Sequence, residues 1–340
     1  MLSLFGAAAF LWVASHYIDL WPRSLTLPRP WALGVAVALQ VPYSLVRAMR
    51  LRYVLDPRVA AASGDPRRRF SKALIYGSGL VSFLVLLLPF KMGEAWRPLA
   101  LAAGRQPGVR LTEAVGAVAV ERLLDAMIIV GLLFGGLARS DYAAVESLSA
   151  VQAAQGAGTL MAGIAAVSVL VLVWAARAPE RLGRAIDRLL GARMAKIFVR
   201  SATTFAGLLD PRQGLPFALW SLAYWAITVG QLWWVARACG LDSLGLAEAA
   251  ATIAIIGLAI QAPGGPANSG TFQMGMATAL ALFVGPQASE AGSSFAALMY
   301  ALSTFGVTAM ALPGVVIQAV SRRANRHDPS APSQGPPASS

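Results

Sequence analysis

Hydrophobic residues in this chain run in long blocks, with polar residues gathered between the blocks and not alternating inside them. A helix needs about 20 consecutive apolar residues to cross the hydrocarbon core of a bilayer. Six blocks meet that length and predict spanning helices: residues 2–21, 31–49, 112–138, 156–176, 214–236 and 292–320. The first lacks the basic leading segment and small-residue cleavage site of a secretory signal, so it is expected to persist as a span.

Two further blocks are apolar at both ends and broken in the middle. Residues 73–103 are interrupted by Pro89, Lys91, Gly93, Glu94, Arg97 and Pro98, and residues 249–284 by Pro263-Gly264-Gly265-Pro266 and Asn268-Ser269-Gly270. Non-helical backbone at membrane depth is tolerated only when buried in protein or facing a wet cavity. These two stretches are therefore the places to look for function.

The segment 179–207 follows a different pattern. Leu182, Ile186, Leu189, Leu190, Met194, Ile197 and Phe198 recur at spacings of three and four, while Arg181, Arg184, Arg188, Lys196 and Arg200 take other faces. This predicts a basic amphipathic helix on an anionic cytoplasmic membrane surface; a solvated connector is the alternative. Residues 1–322 read as one membrane domain, and the Pro- and Ser-rich residues 323–340 as a disordered cytoplasmic tail.

Composition agrees with the block pattern. Of the 340 residues, 57% are hydrophobic and 13% charged, and the mean hydropathy is +0.61. A soluble chain carries about 25% charged residues, so the chain is expected to be an all-α polytopic membrane protein and a soluble enzyme is excluded. One cysteine, Cys239, permits no internal disulfide, and His16 and His327 are far apart in sequence. No metal or other cofactor is expected from these residues.

The net charge of +12 could mark a nucleic-acid surface or the cytoplasmic loops of a membrane protein. Its placement decides for the loops and excludes a nucleic-acid partner. Arg50, Arg52, Arg58, Arg67, Arg68, Arg69 and Lys72 fall together, as do Arg177, Arg181, Arg184, Arg188, Arg193, Lys196, Arg200 and Arg212, and then Arg322, Arg323 and Arg326. The intervening segments 139–155 and 238–248 hold Asp141, Glu146, Asp242 and Glu248 against Arg139 alone. The positive-inside rule puts the basic segments in the cytoplasm, with both termini inside. That parity works only if each broken stretch enters and leaves on one side. The expectation is six full spans with two opposed re-entrant hairpins, an arrangement of the kind found in secondary transporters.

Charges within the membrane are costly and point to function. Lys91, Glu94 and Arg97 recur at spacings of three, and Glu121 and Asp125, four apart, share a helix face that excludes Arg122. Two readings stay open: a buried network that holds the first hairpin, for example Arg97 with Glu121, or a site for an anionic head group. For the second, Lys91, Arg97 and Arg122 supply cations and the carboxylates orient them; arginine suits phosphate because its planar fork donates two parallel bonds. The second hairpin offers uncharged groups. Pro263, Gly264, Gly265, Asn268, Gly270, Thr271 and Gln273 are expected to line a cavity at an unwound crossing, against the alternative of a tight external turn. Trp220, Trp225, Trp233 and Trp234 read as packing or interfacial anchors.

These motifs carry a resemblance. Leu88-Pro89, Gly93-Glu94 and Arg97, followed by Val120-Glu121-Arg122-Leu123-Leu124-Asp125, resemble the signature of the lysylphosphatidylglycerol synthase transmembrane-region family of flippase-like domains. Arg47 to Arg52 with Tyr53 looks like that family's arginine-bearing end of the second span. Pro263-Gly264-Gly265 with Gly270-Thr271-Phe272-Gln273 looks like its late Pro-Gly-Gly and Gly-Thr-Phe-Glu element, departing from it at Gln273 and at the inserted Pro266 to Ser269. The resemblance implies a stand-alone membrane domain without the soluble aminoacyltransferase of the bifunctional relatives.

The leading functional expectation is a flippase or transporter in a bacterial inner membrane that moves an anionic or phosphate-bearing lipid: a phospholipid, an isoprenoid or hopanoid lipid, or a glycolipid precursor. It is not expected to be an enzyme. A membrane-embedded transferase acting on a polyprenyl-phosphate lipid is the alternative, with Glu94, Glu121 or Asp125 as base, and an envelope-biogenesis scaffold the third reading. Expected partners are anionic membrane lipids, with lipid-biosynthesis enzymes and a second copy of the chain as further possibilities.

Overall fold

The computed structural model describes the chain except residues 1, 17, 21, 23, 88–91, 141–147, 263, 286–289 and 327–340. The tail with His327 thus lies outside the described residues. Regular structure among the rest is helical throughout, with no strand.

The first half comprises α1 (Leu2–Ala14), α2 (Pro30–Ala38), α3 (Gln40–Met49), α4 (Arg52–Ser63), α5 (Lys72–Val81), α6 (Met92–Ala103) and α7 (Leu111–Leu137). The second comprises α8 (Leu148–Arg177), α9 (Pro179–Leu190), α10 (Ala192–Leu208), α11 (Pro211–Ala238), α12 (Leu246–Ala259), α13 (Thr271–Phe283), α14 (Glu290–Ala301), α15 (Val307–Ala309) and α16 (Ala311–Arg326).

Three helical runs among the described residues are long and apolar enough to cross a bilayer: Pro30–Ser63, Pro211–Ala238 and Glu290–Val320. Shorter apolar helices cover Gly158–Val171 and Leu246–Ala259. Large apolar side chains face outward along these helices. On α8, Leu160, Ile164, Val167, Val171 and Trp174 form one exposed stripe at spacings of four and three, as a helix facing lipid requires. The chain is a multi-pass membrane protein.

Several boundaries differ from those read in the sequence. The block 2–21 forms a helix only to Ala14. Thirteen residues at about 1.5 Å each give about 20 Å, short of a hydrocarbon core of about 30 Å. The second apolar block does not stop at residue 49, because the run from Pro30 continues to Ser63 and takes Arg50 into the interior. The segment 179–207 is two helices and not one, since Gly191 turns the chain at φ 82° between α9 and α10. These helices pack on each other, and α10 also packs on α7 and α8. Leu189 and Phe198 remain exposed.

Helix α7 is the central element, in contact with α6, α8, α10, α11 and α12. Helix α11 packs beside it and against α2, α3 and α12. Helix α5 lies between α3 and α16 at very short range: a methyl group added to Gly79 would come within 2.8 Å of Ala48 Cβ, and one on Gly314 within 2.6 Å of Leu80 Cβ. Small residues at such crossings let helices approach without a driving force from water.

Candidate functional site: a cationic cavity where two helix breaks meet

Both broken stretches are interrupted helices. The first runs α5, a 3-10 turn at Leu84–Leu87, then α6; the second runs α12, a 3-10 turn at Pro266–Asn268, then α13. Helix α13 folds back along α12, with Gly275 against Ile256 and Ala259, so the second stretch is a hairpin. The two 3-10 turns touch each other.

A cavity of about 240 Å3 lies at this junction. Phe83 and Leu87 reach it from the first break, Ala267 and Asn268 from the second. A π-helical turn at Leu302–Gly306, between α14 and α15, adds Leu302, Ser303 and Thr304 to the wall. Such turns widen a helix locally and are frequent at functional sites. Ala267 and Asn268 both hold positive φ, 54° and 56°. For an alanine this conformation is disfavoured. It is retained by bonds across the turn, Gly265 N to Ser269 O at 2.9 Å and Thr271 Oγ1 to Asn268 O at 3.0 Å.

The charged side chains form a network behind the cavity. Arg50, on the long run from Pro30, is fully buried. Its Nε donates to Glu121 Oε1 at 2.9 Å, and its Nη1 and Nη2 donate to Asp125 Oδ1 and Oδ2 at 2.5 and 2.7 Å. Its guanidinium lies over the Tyr224 ring at 4.6 Å. Arg97 from α6 donates through Nη1 to both oxygens of Glu121, at 3.0 and 2.7 Å. Its Nη2 reaches the carbonyls of Arg47 and Ala48, at 3.3 and 3.4 Å. Trp225 Nε1 donates to Asp125 Oδ1 at 3.0 Å, and Arg122 Nη1 stands 3.8 Å from Asp125 Oδ2. Helix α7 thus presents two carboxylates four residues apart to Arg50 and Arg97, from two other places in the chain, and to its own Arg122. Each buried charge has the close, hydrogen-bonded partner that burial demands.

Of the residues singled out in the sequence, the fold brings Arg97, Glu121, Arg122 and Asp125 together. Lys91, the side chain of Glu94, and Pro263 lie outside the described residues. Two expectations need correction. Glu121 and Asp125 do not line the cavity, because their oxygens are turned into the arginines. In the second hairpin Asn268 lines the cavity, whereas Gly264, Gly265, Gly270, Thr271 and Gln273 build the turn. Gln273 Oε1 accepts from Gly270 N at 2.8 Å, which caps α13. Gly270 holds φ 84° against Ala7 of α1, where a methyl group would meet the Ala7 carbonyl oxygen at 2.6 Å.

Sequence reasoning missed other members. Arg50 read as a loop charge, Arg47 entered only as the start of the arginine-bearing end of the second span, and Trp225 read as an anchor. Arg47 lines the cavity with its guanidinium over the Phe83 ring at 4.4 Å, and pairs with no carboxylate among the described residues. The signal for Arg50 was available: two carboxylates on one face of a spanning helix demand cations, and one neighbouring arginine, Arg122, cannot satisfy both. Gln40 and Gln231 also line the cavity, joined by Gln231 Nε2 to Gln40 Oε1 at 3.0 Å.

The charged lining among the described residues is Arg47, Arg97 and Arg122, with no carboxylate. The remainder combines apolar side chains such as Val118, Ile253, Ile256 and Met299 with uncharged polar ones. The lining thus sets three guanidinium-bearing residues beside apolar surface.

The family model for the lysylphosphatidylglycerol synthase TM region matches residues 1–312. No curated protein and no solved structure gives a significant match.

Proposed function

Because this chain belongs to the family of the lysylphosphatidylglycerol synthase TM region, we propose that it is a lipid transporter, a flippase that moves an anionic, phosphate-bearing lipid between the leaflets of a bacterial inner membrane. The observation that carries the reading is the cavity at the contact of the two helix breaks, walled by Arg47, Arg97 and Arg122. Broken helices that meet around a binding chamber are how transporters expose a site to either side in turn. The distribution of basic segments supports a cytoplasmic position for Arg177 to Arg212 and for the C-terminal end.

A membrane-embedded transferase is the competing reading. What weighs against it is the placement of the carboxylates: Glu121 and Asp125 accept hydrogen bonds from Arg50, Arg97 and Trp225 and do not line the cavity.

The test uses purified protein in proteoliposomes with a labelled anionic phospholipid, whose movement is followed by quenching from outside. Arg47→Gln and Arg122→Gln are each expected to slow translocation by about tenfold or more, the worth of one charge-assisted phosphate contact. Wild-type rates in both variants would remove the site assignment. A covalently altered lipid recovered from the vesicles would favour the transferase.

A further inference from the structure

The exposed apolar stripe of α8 runs down to Trp174, and the helix ends at Arg177, which is also exposed. A tryptophan followed by a basic residue at the end of an apolar helix marks the head-group level of a bilayer. Helix α9 begins two residues on, at Pro179, and therefore starts at that level. Beyond it the chain turns strongly basic: between Asp187 and Asp210 the sequence holds no acidic residue.

The sides of α9 differ in chemistry. Gly183 lies against Val199 of α10, and Ile186 packs with Val199 and Ala202. At about 100° per residue, Arg181, Arg184 and Arg188 fall in one sector about 60° wide, and all three are exposed. Leu189 lies on one flank of that sector. Glu180 and Asp187 lie on the other, roughly opposite Leu189.

Leu189 is 80% exposed, the most of any large apolar side chain among the described residues. Just past the Gly191 corner, Met194 and Phe198 of α10 are exposed too, and their spacing of four puts them on one face. Bare apolar side chains beside a stripe of arginines are what a helix lying in the interface of an anionic bilayer presents.

We propose that the α9–α10 corner is a docking surface for the anionic lipids of the cytoplasmic leaflet. Leu189, Met194 and Phe198 enter the bilayer surface, and Arg181, Arg184 and Arg188 rest on the negative head groups. The occupant is lipid and not a soluble acidic protein, because α9 starts at head-group level with the bilayer already within reach. The proposal does not depend on what the cavity between the helix breaks carries.

The test places Leu189→Cys, carrying an environment-sensitive fluorophore, in the full chain reconstituted in nanodiscs. Cys239 is 1% exposed, and wild-type protein taken through the same labelling is the blank. The discs hold phosphatidylcholine alone or phosphatidylcholine mixed with phosphatidylglycerol. With phosphatidylglycerol the emission should shift to the blue. Quenching by a lipid spin-labelled near its head group should rise about fivefold or more, the worth of one basic residue at an anionic surface. High salt should reverse both changes. Arg181→Gln, Arg184→Gln and Arg188→Gln together should bring the signal in anionic discs down to that in neutral ones.

A probe open to a water-soluble quencher in both discs overturns the proposal and makes the segment a solvated connector. Equal shielding in both discs, indifferent to salt, overturns it as well, since the arginines then read no charge. Shielding only after a cytosolic extract is added gives the face to a protein and has the same consequence. The comparison of two lipid mixtures at two salt concentrations decides without the arginine variants, so their misfolding would not blunt it. Translocation is measured separately, so each of these failures leaves the transporter reading standing.

Discussion

Arg50 and Asp125 are joined by two parallel hydrogen bonds, at 2.5 and 2.7 Å, although 75 residues separate them in sequence. This pair, extended to Glu121, fixes the long run from Pro30 against α7. Arg50→Met would leave two carboxylates buried with less compensation. The expected loss is about 3–5 kcal/mol, the usual consequence of removing one partner from a buried pair. Arg50→Lys should recover only part of it, because a single ammonium cannot reproduce the planar fork. Unfolding in detergent, followed by circular dichroism, measures both.

Glu121 serves Arg50 and Arg97 together, whereas Asp125 shares Arg50 with it. Glu121→Gln should therefore destabilise more than Asp125→Asn, whose remaining oxygen still accepts from Trp225. The same unfolding measurement ranks them. Equal losses would mean that Arg97 gains nothing from Glu121.

The left-handed backbone of Gly270 and its contact with Ala7 predict a specific sensitivity. Gly270→Ala combines an unfavourable φ with a clash against the Ala7 carbonyl, and should cost more than about 1 kcal/mol. Gly34→Ala, on a helix with open space around it, serves as the control and should be neutral or mildly stabilising. Thermal unfolding of the two variants gives the comparison.

Asp242 gives a pH prediction at the surface. Hydrogen bonds from Arg29, then Arg237, hold its carboxyl down from its ordinary 3.8 to about 2. A depressed value means that the ionised form stabilises the fold. That contribution is complete above about pH 4 and is lost as pH falls through about 2. Arg29 N also bonds to Ala238 O at 3.3 Å, so the end of α11 should exchange its amide hydrogens faster as acid protonates Asp242. Asp242→Asn should remove this dependence. The pair is exposed, so the effect is small.

Much of the architecture could be read from apolar blocks, because a bilayer enforces length and composition. The two breaks were visible for the same reason: Pro89 and Pro263 to Pro266 stand where a plain span would have none. Glu121 and Asp125 were visible as charges four apart in an apolar helix. What stayed hidden depends on where a helix ends. Arg50 follows a run of apolar residues and precedes more arginines, a pattern shared by loop charges and by the end of a buried helix. The corner at Gly191 was hidden because the hydrophobic spacing continues through it. Gln40 and Gln231, 191 residues apart, carry no local signal, since their role comes only from α2–α3 packing on α11.

The contact between Leu84–Leu87 and Pro266–Asn268 has a mechanical meaning. The two tips rest on each other, so neither can swing aside without the other yielding. In the proposed transport cycle, a molecule held in the cavity leaves past two turns that rest on each other. A crosslink between the two turns should therefore stop exit in both directions at once, while leaving the long helices and the arginine network untouched.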